Sequence, residues 1–306
     1  MASAAKRNRI RETTSDRVFK IVNTIFLLLI LIITFYPLLF VCIASISDPD
    51  LVNAGKVFLI PKNIMWDGYA KVFSDSRIMI GYRNTILYTV GGTMLNLAVT
   101  LPAAYVLSRK DFVGRGFFTL LFMVTMFFSG GLIPTFLQMK KFHLVNNPLI
   151  LILLGATSMT NIIICRTFFK TNIPDSLEES AKIDGASNFC IFFRIVLPLS
   201  SAIIAVMALF FGIGHWNDYF NAFIYINDPE WTPLQVILRE ILCKSEFNAE
   251  MLLIGANESA TLNQELKTAE LIKYALIIVS SIPVLLVYPF IQKYFVKGVM
   301  IGAIKG

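Results

Sequence analysis

Six stretches of the chain contain no Lys, Arg, Asp or Glu: about Ile25–Ile46, Asn84–Ser108, Gly116–Met139, Pro148–Cys165, Pro198–Trp216 and Tyr274–Gln292. A helix that crosses a bilayer needs about 20 mostly apolar residues. Each stretch therefore predicts one transmembrane helix, and the fourth extends to Phe169 if it needs the length. The first follows a basic segment, as a secretion signal would. Its apolar run exceeds the roughly 7–15 residues of a signal core, and five more stretches follow, so it reads as a retained span. The expected fold is an all-α polytopic membrane protein of six transmembrane helices. Between the spans, 47–83 and 217–273 are long polar connections, and Gln235–Leu242 reads as a short helix within the second.

Composition agrees with that pattern. Hydrophobic residues make up 56% of the 306 and charged residues 15%, against about 45–50% and about 25% in soluble domains. The four Cys (Cys42, Cys165, Cys190, Cys243) show no metal or redox spacing and read as small buried thiols.

The net charge of +7 raises nucleic acid as a partner, and the spans answer it. Six crossings put both termini on one side. That side collects sixteen Lys and Arg against seven acids, a balance of +9, and the other side eleven against thirteen, a balance of −2. Positive charge marks the cytoplasmic face, so both termini are expected there and the charge reports orientation. The expected organisation is a basic cytoplasmic N-terminus (1–24), a six-helix membrane domain (25–292) and a cytoplasmic tail (293–306).

The spans also lack things. Ion-coupled carriers keep an ionisable residue at membrane depth, and here the one titratable candidate is His215, at the outer end of the fifth span. There is no P-loop: Gly55-Lys56 has Asp50 at the position of the first Gly and Val57 after the Lys. HExxH and GxSxG are missing, so no catalytic residue and no metal site is expected. Energy for uphill transport must come through a partner.

Residues 173–198 carry a design. Pro174 ends one helix or starts the next. Ser176 lies three residues before Glu179, a capping-box spacing. Gly185, after Asp184, allows a turn with positive φ, and Ser187 is placed to cap a second helix. Phe189, Phe192, Phe193 and Val196 follow at helical spacing on one apolar face. That face either docks into a partner's groove or packs on the chain's own spans, and the pattern alone leaves both open.

The run Glu179-Ser180-Ala181-Lys182-Ile183-Asp184-Gly185-Ala186, followed by Ile195 and Leu197-Pro198, resembles the EAA motif of permease subunits of ATP-binding-cassette (ABC) importers. Ser180 replaces the motif's first Ala, small for small. Trp216-Asn217-Asp218-Tyr219 resembles the Trp-Asn-Asp signature of the carbohydrate branch, the maltose-permease type, and 294–306 resembles its C-terminal signature. Phe128-Ser129-Gly130-Gly131-Leu132-Ile133-Pro134-Thr135 is similar to a subgroup importing complex oligosaccharides.

The resemblance implies a type I ABC importer permease fold in a bacterial cell membrane. It implies a second homologous permease subunit, two cytoplasmic ATP-binding subunits that hold the ATP and Mg, and an extracellular solute-binding protein that delivers sugar. Residues 175–197 become the coupling helices. Glu179, Ala181, Asp184, Gly185 and Ala186 form the coupling motif, with Glu179 orienting the first helix, and Phe189, Phe192 and Phe193 fill the ATPase groove. Trp216, Asn217 and Tyr219 are candidates for the translocation path, against the alternative of an interfacial aromatic belt. Competing readings are a permease for a peptide or polyamine, and a stand-alone channel or secondary carrier. The last needs a discontinuous site at the midplane, for which Gly91-Gly92 and Gly130-Gly131 are the candidates.

Overall fold

The computed structural model describes residues 13–254 and 260–303, and their regular structure is helical. α1 (Thr14–Ala44) begins well before the first apolar stretch, because Thr13 and Asp16 close a capping box. The Thr13 hydroxyl accepts from the Asp16 amide at 3.2 Å, and the Asp16 carboxylate accepts from the Thr13 amide at 3.1 Å. The short helices α2 (Pro49–Asn53) and α3 (Asp67–Phe73) precede α4 (Arg77–Ser108), whose 32 residues span about 48 Å at 1.5 Å per residue.

The third stretch is two helices, α5 (Arg115–Phe127) and α6 (Leu132–Lys141), bent by 111°. The fourth is split into α7 (Leu149–Leu153) and α8 (Met159–Asn172). Next come α9 (Asp175–Ile183), α10 (Asn188–Ile191), a π-helical turn over Phe192–Val196, and α11 (Leu197–Leu199). α12 (Ser201–Trp216) leaves that segment at 81°. α13 (Phe220–Tyr225), α14 (Leu234–Ile254) and α15 (Ala260–Ala303) complete the chain.

Among the described residues, the six apolar stretches thus yield three uninterrupted helices of crossing length, in α1, α4 and α15, and two bent pairs that bring the crossings to as many as five. The fourth stretch, expected as one span, is split so that neither half by itself reaches crossing length. The breaks have local causes. Gly131 (φ +84) and Gly155 (φ +78) adopt backbone angles that end a right-handed helix. An apolar run reports depth in the membrane and says nothing of direction within it. α1 starts at Thr14, ahead of the first apolar stretch, and α15 continues through 293–303, so that part of the expected tail is helical.

The chain divides into two compact units, residues 1–71 with 249–278, and residues 72–248 with 279–306. In the first, Ile43, Ala44, Val52 and Val57 form a small core. Lys267 pairs with Asp48 (3.2 Å) and Asp50 (2.7 Å), and the Asn53 side chain donates to Glu270 (2.8 Å). The most apolar part of α1 buries nothing within the chain.

The second unit is built around α4, which packs on α12 and α8. Leu101, Ala104, Tyr105 and Leu107 meet Met159, Ile162, Cys165 and Phe169 of α8 and Ile203, Met207 and Phe211 of α12. At the other end of α4, Asn84 donates to the carbonyls of Glu230 (2.8 Å) and Thr232 (3.0 Å), and Tyr88 donates to that of Trp231 (2.8 Å). The Leu234 amide donates to Thr85 Oγ1 at 2.8 Å. These bonds pin the loop that leads into α14. That helix covers the predicted Gln235–Leu242 segment and runs well beyond it.

Polar contacts at two places join the long helices. Pro283 has no amide hydrogen and its ring displaces the carbonyl four residues back, that of Val279. Tyr82 donates its hydroxyl to that oxygen at 2.7 Å, and Trp216 Nε1 donates to the next carbonyl, Ser280, at 2.9 Å. Elsewhere Asn96 Nδ2 donates to the Gly155 carbonyl and Asn96 Oδ1 meets His215 Nε2, both at 2.8 Å. A carbonyl only accepts, so the Asn96 amide orientation is determined and His215 carries its proton on Nε2. His215 is therefore tied to α4. α4 is continuous through Gly91-Gly92, and Gly92 leaves room for the imidazole.

Adding a methyl at Gly92 overlaps the His215 ring, whereas at Gly91 it meets only the flexible Ile152 Cδ1 at 3.1 Å. Gly92→Ala is expected to cost about 1–3 kcal/mol and Gly91→Ala to be near neutral, checked by thermal unfolding in detergent. Tyr82→Phe is expected to cost about 1–3 kcal/mol by orphaning the Val279 carbonyl. The loss should shrink in a Pro283→Ala background, where residue 283 regains its own amide donor; a double-mutant cycle measures the difference.

Candidate functional site

The segment from α9 to α12 is assembled from local rules. Pro174 takes the N-cap of α9 with φ −65 and ψ 140 and no side-chain cap. This corrects the expected Ser176–Glu179 capping box. With Pro174 at the cap, Ser176 already lies in the first turn, and its carbonyl accepts from the Ser180 hydroxyl at 2.9 Å. Asp175 and Glu178 place negative charge in that turn, where the helix dipole favours it.

α9 ends in a Schellman motif. The Ala186 amide donates to the Ala181 carbonyl (2.9 Å), the Gly185 amide donates to that of Lys182 (3.0 Å), and Gly185 stands at φ +80. Asp184 is the C-cap. Ser187 caps α10, its hydroxyl accepting from the Cys190 amide at 3.3 Å. The turn predicted at Asp184-Gly185 and the second cap at Ser187 are both present.

The four residues of the predicted apolar face part company. Phe192 and Val196 are buried in the chain's own core, with the Phe192 ring centroid 5.1 Å from that of Tyr105. Phe189 is 79% exposed and Phe193 60%, and Ile183 at the end of α9 is 86% exposed. Phe192 thus does not reach a partner's groove. Phe192 and Val196, one turn apart, share the side turned to the core, whereas Phe189 and Phe193, also one turn apart, share the side turned away from it. Ala181 is buried against the same core, which explains the need for a small side chain. Glu179 and Asp184 are exposed, and Ala186 is half-buried.

The carboxylate that holds α9 is Glu178, buried and paired with Arg109. Two further ion pairs flank it, Lys110 with Asp175 (2.6 Å) and Lys182 with Asp111 (2.8 Å). Arg109 also bonds Asp111 at 3.2 Å, and its guanidinium lies over the Tyr105 ring at 5.9 Å. Lys182 first, then Arg109, hold the Asp111 carboxyl down at about 2, and Lys110 lowers that of Asp175. A depressed carboxylate stabilises above its unfolded value of about 3.9. That contribution fades only as pH falls through about 2, so the Asp111 pair persists near neutral pH. The sequence reading missed Arg109, Lys110, Asp111 and Glu178. The available signal was Asp175, Glu178 and Lys182 at i, i+3 and i+7, one face of a helix whose signs complement those of 109–111.

At the other candidate site, Trp216 is buried with its indole N–H already bonded to Ser280, and its ring lies 6.4 Å from that of Tyr82. It lines a cavity of about 320 Å³ with Ile86, Val90, Leu209 and Val287, to which Thr89 brings a hydroxyl. Asn217 is exposed, and Tyr219 is half-buried and stacked on Phe223 at 5.6 Å. Asn217 and Tyr219 are accessible at this end, while Trp216 faces the interior.

Residues 77–301 match the family described as binding-protein-dependent transport system inner membrane component. The chain belongs to this family. It is 41% identical over 292 residues to the polygalacturonan/rhamnogalacturonan transport system permease protein YtcP of Bacillus subtilis strain 168, covering 95% of this chain and 99% of that one. Protein LplC of the same organism is 38% identical, covering 99% of this chain and 100% of LplC. A crystal structure of a bacterial ABC transporter involved in import of the acidic polysaccharide alginate contains a chain 34% identical. It covers 94% of this chain and 100% of that one, with a TM-score of 0.77. The permease is thus a membrane transport component with the fold expected of an ABC importer permease.

Unequal exposure of the three ion pairs sets their worth. Glu178→Ala leaves the half-buried Arg109 with only the exposed Asp111 for a partner and is expected to cost about 2–4 kcal/mol. Asp175→Ala breaks a pair exposed on both sides and is expected to cost less than about 1 kcal/mol. Thermal unfolding of the two variants in detergent separates them.

Proposed function

We propose that this permease is one of two membrane subunits of an ATP-driven importer of sugar oligomers. Its 41% identity to the YtcP permease over nearly the full length of both chains carries that reading. A solute-binding protein delivers the oligosaccharide to the outer face. Two partner subunits bind and hydrolyse ATP with Mg on the cytoplasmic face, and this chain catalyses no reaction and holds neither group. Both termini lie on the cytoplasmic side, as the division of Lys and Arg supports.

The α9–α10 turn is the part of this chain that meets the ATPases. Ile183, Phe189 and Phe193 are its exposed apolar contacts, with Glu179 and Asp184 as its polar rim. Closure of the ATPases on ATP draws the coupling turns of the two permeases together and opens the path outward, and hydrolysis resets it. Asn217 and Tyr219 offer an amide and an aromatic face to sugar at the outer end.

The test is reconstitution with the cognate ATPase and binding protein, comparing uptake of labelled oligosaccharide with that of a peptide. Saturable, ATP-dependent oligosaccharide uptake is expected; uptake of peptide alone overturns the sugar assignment. Gly185→Arg forces a bulky residue to φ +80 at the docking turn. It is expected to lower ATPase stimulation by loaded binding protein at least tenfold while insertion survives. Gly185→Asn, which tolerates positive φ, should retain more of it.

A further inference from the structure

We propose that Arg109, Lys110 and Asp111 are positioning residues that lock α9 to the inner end of α4, so that a push on the coupling turn moves α4 and α9 as one body. The proposal rests on the importer reading above and names the route by which the stroke leaves the turn.

Along the chain, the turn leads into α12, but through a sharp bend. The path runs through the π-helical turn Phe192–Val196 and then Ser200, where the backbone leaves helical geometry (φ −102, ψ 17) and the direction changes by 81°. The direct route from α9 is lateral. Arg109 is the C-cap of α4, and residues 109–111 present plus, plus, minus to Glu178, Asp175 and Lys182. Those three sit at i, i+3 and i+7, so they occupy one face of α9 along its length, and sliding by one helical turn would set like charges together.

In the central pair Glu178 is nearly dry and Arg109 half-buried, their side chains 4% and 17% exposed, and the outer two pairs are wet. The central pair therefore anchors and the outer pairs set register. Arg109 also rests on Tyr105, which packs on Phe192 and Phe169. Glu179 lies off the ion-paired face and, with Ile183, is exposed. α4 in turn carries Asn96, bonded to His215, and Tyr82, bonded to the Val279 carbonyl. A displacement of its inner end thus reaches α12 and the Pro283 region of α15.

The test uses the full transporter in proteoliposomes, in a chain whose four native Cys are replaced and which still imports. Lys110→Cys and Asp175→Cys are joined by a short bifunctional thiol reagent, and uptake and ATP hydrolysis are read together. If α4 and α9 move as one body, the cross-linked permease keeps at least half of its uptake. Glu178→Gln should raise the ATP hydrolysed per solute imported at least fivefold, and the cross-link should restore that ratio, which a merely structural role would leave unmoved. Block of uptake by the cross-link, or an unchanged ratio in Glu178→Gln, overturns the proposal. Failure of the unaltered permease to import with its partners instead overturns the importer reading.

Discussion

A backbone polar group at membrane depth has no water to bond, and most of this architecture follows from how such groups are satisfied. Regular helices satisfy their own. The informative places are the breaks, where another element must supply the partner. Pro283 disturbs the Val279 carbonyl, and Tyr82 of α4 reaches it. The Gly155 carbonyl lies in the gap between α7 and α8, and Asn96 of α4 reaches it, oriented by His215 of α12. α4 thus serves as the polar supplier for its neighbours. That role accounts for Asn and Tyr on an otherwise apolar helix, and for a Gly where the His215 ring comes close.

The same helix ends in the ion pairs that hold α9. Its two ends do different things with similar means. At one end, Asn84, Thr85 and Tyr88 capture the backbone of a loop, whose own bonds cannot all be met locally. At the other, Arg109, Lys110 and Asp111 capture side chains across a helix face. Bonds to backbone fix a path without regard to the residues on it. Charge pairs fix a register, because a slip sets like charges face to face. A coupling element needs the second kind.

Much of the turn was legible beforehand because its determinants are local. Gly185 adopts positive φ, the Schellman bonds close around it, and Ser187 caps the next helix. The cap of α9 was misread because Pro174 competes for the same position and begins the helix earlier. The Phe face, open to either reading from its pattern, divides by turns: Phe192 and Val196 pack on the chain's own core, and Phe189 and Phe193 stay outside. Glu178 was passed over for its neighbour Glu179. Both are acids in the first turns of one helix; Glu178 alone shares a face with Asp175 and Lys182, and the place of Arg109 in space makes it the anchor.

By itself the sequence determined what depends on composition and neighbouring residues: a helical membrane chain, the segments that enter the bilayer, the site of the sharp turn, and the family through its motif. The tertiary structure decided what depends on residues far apart. It broke the third and fourth apolar stretches, made α4 the common partner of α8 and α12, and turned Trp216 toward the Ser280 carbonyl. It also chose Glu178 as the buried anchor. The physical reason is range. Helix, cap and turn preferences act within about five residues, whereas a hydrogen bond from Asn96 to Gly155 or an ion pair from Arg109 to Glu178 exists only once packing has brought distant segments together.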